Sequence, residues 1–135
     1  MVILFVVFII AANIWELRKD LSPQEDYIAT LKEIDKKSFP DSIKHKYTCV
    51  LFYNPEKTSD VKMESELSML NNPPNSPIKY YKIRSDEASE LCCGLNISGT
   101  PSVLLFKDGV EVSRIMGTVS QTNLKMIIKR LEKQV

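Results

Sequence analysis

The sequence predicts an α/β domain in which a mixed parallel and antiparallel sheet carries helices on both faces. Tyr47–Tyr53 and Ile78–Arg84 are continuous β-prone runs separated by a helical stretch, a pattern typical of parallel strands covered on both sides. Ser102–Met116 holds the turn signal Asp108-Gly109 between two further β-prone runs, which predicts an antiparallel hairpin. A parallel pair joined to such a hairpin gives the mixed sheet.

The length and composition of the chain fit one globular domain. Its 135 residues are 44% apolar and 26% charged, with a formal net charge of +1. Basic and acidic residues are interspersed, so no nucleic-acid partner is predicted, and no cofactor or small-molecule substrate is indicated. The three cysteines lack the spacing of a zinc site, so no metal is predicted either. His45 is the only histidine and lies between two lysines, which argues against a Cys/His or Ser/His/Asp catalytic set.

Residues 1–17 form a hydrophobic segment with the features of a membrane signal. The first 15 residues carry no charge, and Asn13 is the one polar side chain among them. As a helix they would span roughly 22 Å, against about 30 Å for the hydrocarbon core of a bilayer. Trp15 lies where an interfacial anchor belongs. We predict a single-pass anchor, with a cleaved signal peptide and a buried core helix as alternatives.

The charges that flank this segment predict the compartment of the domain. No basic residue precedes the segment, and several follow it: Arg18, Lys19, Lys32, Lys36 and Lys37. The positive-inside rule then places the domain on the cytoplasmic or a matrix-equivalent side of the membrane. A cleaved signal peptide would place it in the lumen of the secretory pathway instead.

Residues 18–45 are predicted to form an N-terminal helix and a connector. Ser22–Glu25 is a capping box with proline at the first helical position. Apolar residues then recur on one helical stripe: Tyr27, Ile28, Leu31 and Ile34. Pro40 is expected to end this helix or to follow its end closely.

Residues 46–135 are predicted to form the main domain, in the order β-α-β-α-β-β-α. After the first strand, Met63, Leu67 and Leu70 mark one face of a helix, and Asn71–Pro77 has the composition of a loop. After the second strand, Ser85-Asp86 is expected to cap a short helix. The apolar face of that helix is Ala88, Leu91, Cys92 and Leu95.

Single residues with turn or capping preferences, together with the spacing of apolar residues, predict the remaining elements. Asn96-Ile97-Ser98 is formally a glycosylation sequon, but Asn96 is expected at a helix C-terminus, where asparagine tolerates the left-handed conformation. Gly117 is expected to end the hairpin, and Ser120 to cap a final helix. The apolar stripe of that helix is Leu124, Ile127, Ile128 and Leu131.

From Tyr47 to Val135, this element order and several local motifs resemble the thioredoxin family. Ile97–Ser102 resembles the loop that holds the family's cis-proline, and Phe106–Gly109 with Gly117 resembles its hairpin. The resemblance implies a thioredoxin-like three-layer sandwich and a cis Thr100-Pro101 bond. It also implies that the Thr100 backbone faces the β-to-α junction and pairs with an extended segment of a bound protein.

The sequence departs from the family at the residues that carry its chemistry. By the resemblance, the family's two active-site cysteines fall on Lys57 and Asp60, and the residues before and between them on Glu56 and Ser59. The family's buried carboxylate falls on Leu51. Because dithiol exchange needs a thiolate and a second, resolving thiol, we expect no enzymatic redox activity of this kind.

We therefore predict a membrane-tethered interaction or structural module, an accessory subunit of a membrane-associated complex, without dithiol-disulfide redox activity. The predicted partner-binding residues are Thr100, Pro101, Glu56, Lys57, Thr58, Ser59 and Asp60. One alternative is a lumenal folding factor that binds clients without redox chemistry.

The other alternative is monothiol exchange or redox sensing through Cys93, the candidate reactive thiol. Its helical neighbours Glu87 and Glu90 are acidic and disfavour a thiolate. Cys92 lies on an apolar stripe and Cys49 in a strand, so both are expected in the core.

Overall fold

The structure, a computed structural model, describes residue 7 and the ranges 31–71 and 77–133. Five strands and four helices alternate along these ranges. In chain order they are β1 (Lys32–Glu33), α1 (Phe39–Ser42), β2 (Tyr47–Tyr53), α2 (Thr58–Leu70), β3 (Ile78–Arg84), α3 (Ser89–Gly94), β4 (Ser102–Lys107), β5 (Val110–Met116) and α4 (Gln121–Lys133).

The strands form one mixed sheet in the order β1-β3-β2-β4-β5. β3 pairs in parallel with both β1 and β2, whereas β4 pairs antiparallel with β2 and β5. β2 lies in the middle of the sheet, and all seven of its residues are buried. The prediction of a parallel pair joined to an antiparallel hairpin is confirmed.

Helices cover both faces of the sheet, so the molecule has three layers. Along β2, the side chains of Cys49 and Leu51 join one apolar cluster with Met63 of α2 and Leu124 of α4. Val50 and Phe52 of β2 join the other cluster, which contains Phe39 of α1, Cys92 of α3 and Ala88 directly before α3. This alternation is the period of two that a doubly covered strand requires.

The first described strand corrects the last part of the predicted N-terminal helix, at residues 31–34. Lys32 and Glu33 pair with β3, and the Ile34 N–H continues the ladder to the Lys82 carbonyl at 2.9 Å. Leu31 and Ile34 are both buried, but in the two different apolar clusters. A strand places residues three apart on opposite faces, so the spacing that favoured a helical stripe belongs to a strand with a core on each side.

Pro40 was expected to end that helix or to follow its end closely, and this is also wrong. It lies in the first turn of α1, where its missing N–H removes no helical hydrogen bond. The capping box Ser22–Glu25, together with Tyr27 and Ile28, lies outside the described residues, as do residues 1–17 apart from Val7. Among the residues that the structure describes, no helix is long and apolar enough to cross a bilayer.

The C-terminal half agrees with its predicted turns and helix. Asp108 and Gly109 both have positive φ, 50° and 83°, as a two-residue hairpin turn requires, and Gly117 follows β5 with φ 85°. The Ser120 hydroxyl accepts the Asn123 N–H at 3.3 Å, which confirms the predicted cap of α4. The apolar stripe of α4 is buried against the sheet at Leu124, Ile128 and Leu131.

The predicted cap of the short helix α3 is wrong. The helix begins at Ser89, and neither Ser85 nor Asp86 caps it. The Ser85 hydroxyl donates to the Tyr53 carbonyl at 3.2 Å, and the Asp86 carboxylate pairs with Arg84 at 2.9 Å. Both side chains thus bind residues of β2 and β3 instead of the N-terminus of α3. Asn96, just beyond the helix, has φ 56°, the left-handed conformation that was predicted for it.

Candidate functional site

The candidate site is built on the junction where β2 ends and α2 begins. Lys57 precedes the first helical residue, and the loop before it is exposed at Glu56. The Asn54 side-chain oxygen accepts the Glu56 N–H at 3.0 Å, and the Asn54 carbonyl accepts the Lys57 N–H at 3.1 Å. These two hydrogen bonds to Asn54 close the turn, so the loop has a defined conformation.

Asp60, in the first turn of α2, is fully buried. Its carboxylate accepts the Asn54 N–H at 2.8 Å and the Ser59 hydroxyl at 3.1 Å. A carboxylate in the first helical turn is also favoured by the helix dipole. Asp60 was predicted as a partner contact, and its burial does not fit that role, because it holds the loop from inside. Glu56, Lys57, Thr58 and Ser59 are exposed.

Leu51 is also fully buried, at the position where the resemblance places the family's buried carboxylate. The buried acid of this chain, Asp60, reaches the junction from α2 instead of from β2. Its oxygens accept hydrogen bonds from the loop, so the carboxylate has a structural function here.

The loop before β4 forms the other side of the site. The Thr100-Pro101 peptide bond is cis, as the resemblance predicts. The Ser102 hydroxyl donates to the Gly99 carbonyl at 2.6 Å, and the Gly117 N–H donates to the Pro101 carbonyl at 2.9 Å. Pro101 is buried and Thr100 is partly exposed, so a partner can reach this loop through Thr100.

A direct contact joins the two sides of the site. The Lys57 Nζ donates to the Thr100 carbonyl at 3.4 Å, across 43 residues of sequence. The prediction that the Thr100 backbone faces the junction is confirmed. The lysine amine lies over a backbone acceptor, at the sequence position where the resemblance places the first cysteine of the family.

Beside this contact lies a groove of about 480 Å³ between α2, α3 and the loop before β4. We call it the α2–α3 groove. It is lined by Lys57, Ser85, Ser89, Cys92, Cys93, Ile97, Ser98, Gly99 and Thr100. The lining combines one ammonium group, several hydroxyls and two thiols. None of these nine residues is acidic.

The three cysteines have different environments. Cys49 and Cys92 are buried, and burial raises the pKa of both thiols above the ordinary range. Cys93 is exposed and contributes to the groove. The predicted core positions of Cys49 and Cys92 and the exposure of Cys93 are therefore confirmed.

A polar cluster that the sequence did not predict surrounds Tyr53, the last residue of β2. The Tyr53 hydroxyl donates to Glu33 at 2.6 Å, which ties β2 to β1, and Lys82 pairs with Glu64 at 2.7 Å, which ties β3 to α2. Burial, and then the hydrogen bond to Glu33, raise the pKa of Tyr53. Strands that lie far apart in sequence meet here, so spacing along the chain offered no signal for it.

Met116 is a second residue that sequence reasoning missed. It ends β5, is 48% exposed, and its Sδ lies 3.5 Å from the Ser102 hydroxyl, directly after the cis-proline. An exposed thioether beside a backbone edge offers an adaptable apolar contact. A hydrophobic residue at the end of a predicted strand carries no signal of exposure in the sequence.

The comparisons with known proteins agree with this geometry. Residues 30–130 match the sequence profile of the thioredoxin family. No curated protein matches the chain in sequence.

Among solved structures, the chain is similar to thioredoxins from three organisms. A thioredoxin mutant from Halobacterium salinarum superposes with a TM-score of 0.71 at 20% identity, over 79% of this chain and 95% of that one. Oxidised thioredoxin from Plasmodium falciparum gives 0.67 at 20%, over 74% and 96%. Mitochondrial thioredoxin 3 from Saccharomyces cerevisiae gives 0.67 at 21%, over 76% and 97%. Since the family profile spans most of the chain and the three-layer fold agrees with it, this chain belongs to the thioredoxin family.

Proposed function

We propose that this chain is a membrane-tethered thioredoxin-like module that binds an extended segment of a protein partner without dithiol-disulfide exchange. In this proposal it serves as an accessory subunit of a membrane-associated complex. One observation carries the proposal: Asp60 is buried and hydrogen-bonded by the loop, while the Lys57 amine lies on the Thr100 carbonyl. Of the two positions where the family's cysteines would fall, Asp60 thus holds the loop and Lys57 lies at the proposed binding edge.

The thiols that the chain does have support the absence of dithiol exchange. That chemistry requires an accessible thiolate and a second thiol able to close onto it. Cys92 and Cys93 are consecutive residues of α3, and side chains of consecutive helical residues point about 100° apart. Cys92 is also buried, so it is poorly placed to resolve a mixed disulfide formed on Cys93.

The surface around Thr100 supports a binding role. An extended segment that pairs with an exposed backbone edge gains main-chain hydrogen bonds, and neighbouring side chains add selectivity. Here exposed Lys57 contacts the Thr100 carbonyl, and exposed Met116 contacts Ser102, two residues further along the chain. The loop before α2 is held by Asn54 and Asp60, so it needs no reordering when a partner docks.

The membrane part of the proposal rests on the sequence of residues 1–17 and on the basic residues that follow it. We place the domain on the cytoplasmic or matrix-equivalent side. An anchored domain meets partners at high effective concentration, so a shallow, polar recognition surface suffices for stable assembly.

The test is co-purification of the full-length chain from its native membrane in mild detergent, with and without a thiol reductant. We expect one partner or complex in stoichiometric amount, unaffected by the reductant, because no disulfide holds it. Met116→Asp should remove it. Met126→Asp is the matched control, because Met126 on α4 is 49% exposed, against 48% for Met116.

Two results would contradict the proposal. One is a chain that purifies alone or only with traces of many proteins. The other is a partner that the reductant releases, which would point to a disulfide through Cys93.

A second function, monothiol exchange through Cys93, has one observation in its favour. Cys93 is exposed and lines the same groove as Lys57, and an ammonium group favours a thiolate. A Cys93→Ser variant that loses its partner in the co-purification would favour this second function.

A further inference from the structure

The lining of the α2–α3 groove carries one formal charge, and that charge is positive. Lys57 is the one charged residue among the nine that line it. In the described part of the chain, its ammonium group forms no ion pair, and its hydrogen-bond acceptor is the Thr100 carbonyl at 3.4 Å. This distance is at the long end for a lysine hydrogen bond, so the ammonium group is weakly held.

Docking of an extended segment would compete with Lys57 for that acceptor. A segment that pairs with the Thr100 backbone would donate its own N–H to the carbonyl that Lys57 now occupies. Lys57 is exposed, so a docked segment would replace part of the water around its ammonium group, and a carboxylate on that segment would offer a charged acceptor in exchange. The groove itself offers hydroxyls at Ser89, Ser98 and Thr100, which are weaker partners than a carboxylate.

We propose that the partner's segment carries an aspartate or glutamate whose carboxylate enters the α2–α3 groove and pairs with Lys57. This inference rests on the proposed binding role of the Thr100 edge. A single lysine without arginine suits a carboxylate better than a phosphate group, which calls for more charge and for bidentate donors. The hydroxyls of Ser89 and Ser98 supply further donors to the carboxylate oxygens.

The test is selection from a displayed library of extended peptides, randomised at every position, on the full-length chain in detergent micelles. We expect the wild type to enrich peptides with Asp or Glu at one fixed position. Lys57→Glu should exchange that preference for Lys or Arg. Lys62→Glu is the matched control, because Lys62 is an exposed lysine of α2 that does not line the groove, and it should keep the acidic preference.

The affinity of one selected peptide measures how much the ion pair with Lys57 contributes to binding. Replacing its acidic residue by the amide should weaken binding to the wild type about fivefold, the range of a partly exposed ion pair. The same replacement should change binding to Lys57→Gln by less than about twofold, since the charge partner is gone.

The outcomes separate this inference from the function on which it rests. Peptides enriched without an acidic position, or an acidic preference lost equally in the Lys57 and Lys62 variants, would overturn the groove assignment and leave the binding role standing. A library that yields no enrichment on the wild type would overturn both.

Discussion

At the scale of single residues, Asp60 shows how a position is reused within a fold. Its carboxylate is buried and holds the loop before α2 through Asn54. We expect Asp60→Ala to lower the free energy of unfolding by about 1–3 kcal/mol, because it empties a fully buried position and leaves the partly buried Asn54 N–H without its acceptor. Urea denaturation measures this.

Thr58→Ala is the control for that measurement. Thr58 is exposed in the same helical turn, and its substitution should change the free energy of unfolding by less than about 0.5 kcal/mol. Equal stability of the two variants would show that Asp60 does not hold the loop.

The cysteines give a second prediction at this scale. Cys93 is exposed, whereas Cys49 and Cys92 are buried with raised pKa values, so their thiolates are scarce and shielded in the folded state. We expect a chromogenic disulfide reagent to modify one thiol per folded chain, and all three after denaturation. Cys93→Ser should abolish the fast reaction. Rapid modification of two or three thiols in the folded chain would contradict the described packing.

At the scale of elements, β1 is two residues long and depends on its neighbours. The Tyr53 hydroxyl, bonded to Glu33, is its side-chain link to β2. We expect Tyr53→Phe to lower the free energy of unfolding by about 1 kcal/mol, the value of one such hydrogen bond. Thermal or urea denaturation measures it.

Tyr47→Phe is the matched control, because the buried Tyr47 hydroxyl has no hydrogen-bond partner among the described residues. Removing it should leave stability unchanged or raise it slightly. A larger loss at Tyr47 than at Tyr53 would mean that β1 is not held through this bond.

β1, unlike the longer strands, could not be predicted from the sequence. β2, β3 and the hairpin are long β-prone runs bounded by turn residues, and their local pattern was sufficient to predict them. β1 is defined by pairing with Tyr81 and Lys82, about 50 residues away, which no local pattern encodes. Tertiary pairing thus overrode the helical spacing of Leu31 and Ile34.

Some features of the candidate site were likewise predicted from the sequence and others were not. The cis bond and the position of the Thr100 backbone at the junction were predicted, but only through the resemblance to a known fold, and the hydrogen bond from Lys57 was not predicted. The burial of Asp60 was not predicted, because an acidic residue in a polar loop is most often exposed. Its use as an internal acceptor depends on Asn54, whose backbone direction is set by the end of β2.

At the scale of the whole molecule, this chain combines a thioredoxin-family scaffold with a junction that carries no thiol. Lys57 and Asp60 occupy the start of α2, and the nearest thiol in the α2–α3 groove is on a different helix. The hydrophobic segment at residues 1–17 and the exposed Thr100 edge are the features that we assign to its function. Absence of dithiol exchange is the claim on which this account depends.

Reduction of insulin disulfides by the full-length chain tests that claim most directly. The assay compares the wild type, Cys93→Ser and a dithiol thioredoxin as positive control, all in the same detergent with a small-molecule dithiol as reductant. We predict that the wild type and Cys93→Ser give the rate of the reductant alone, while the thioredoxin accelerates it. A wild-type rate well above the reductant alone, abolished by Cys93→Ser, would contradict the account and make this chain a thiol enzyme.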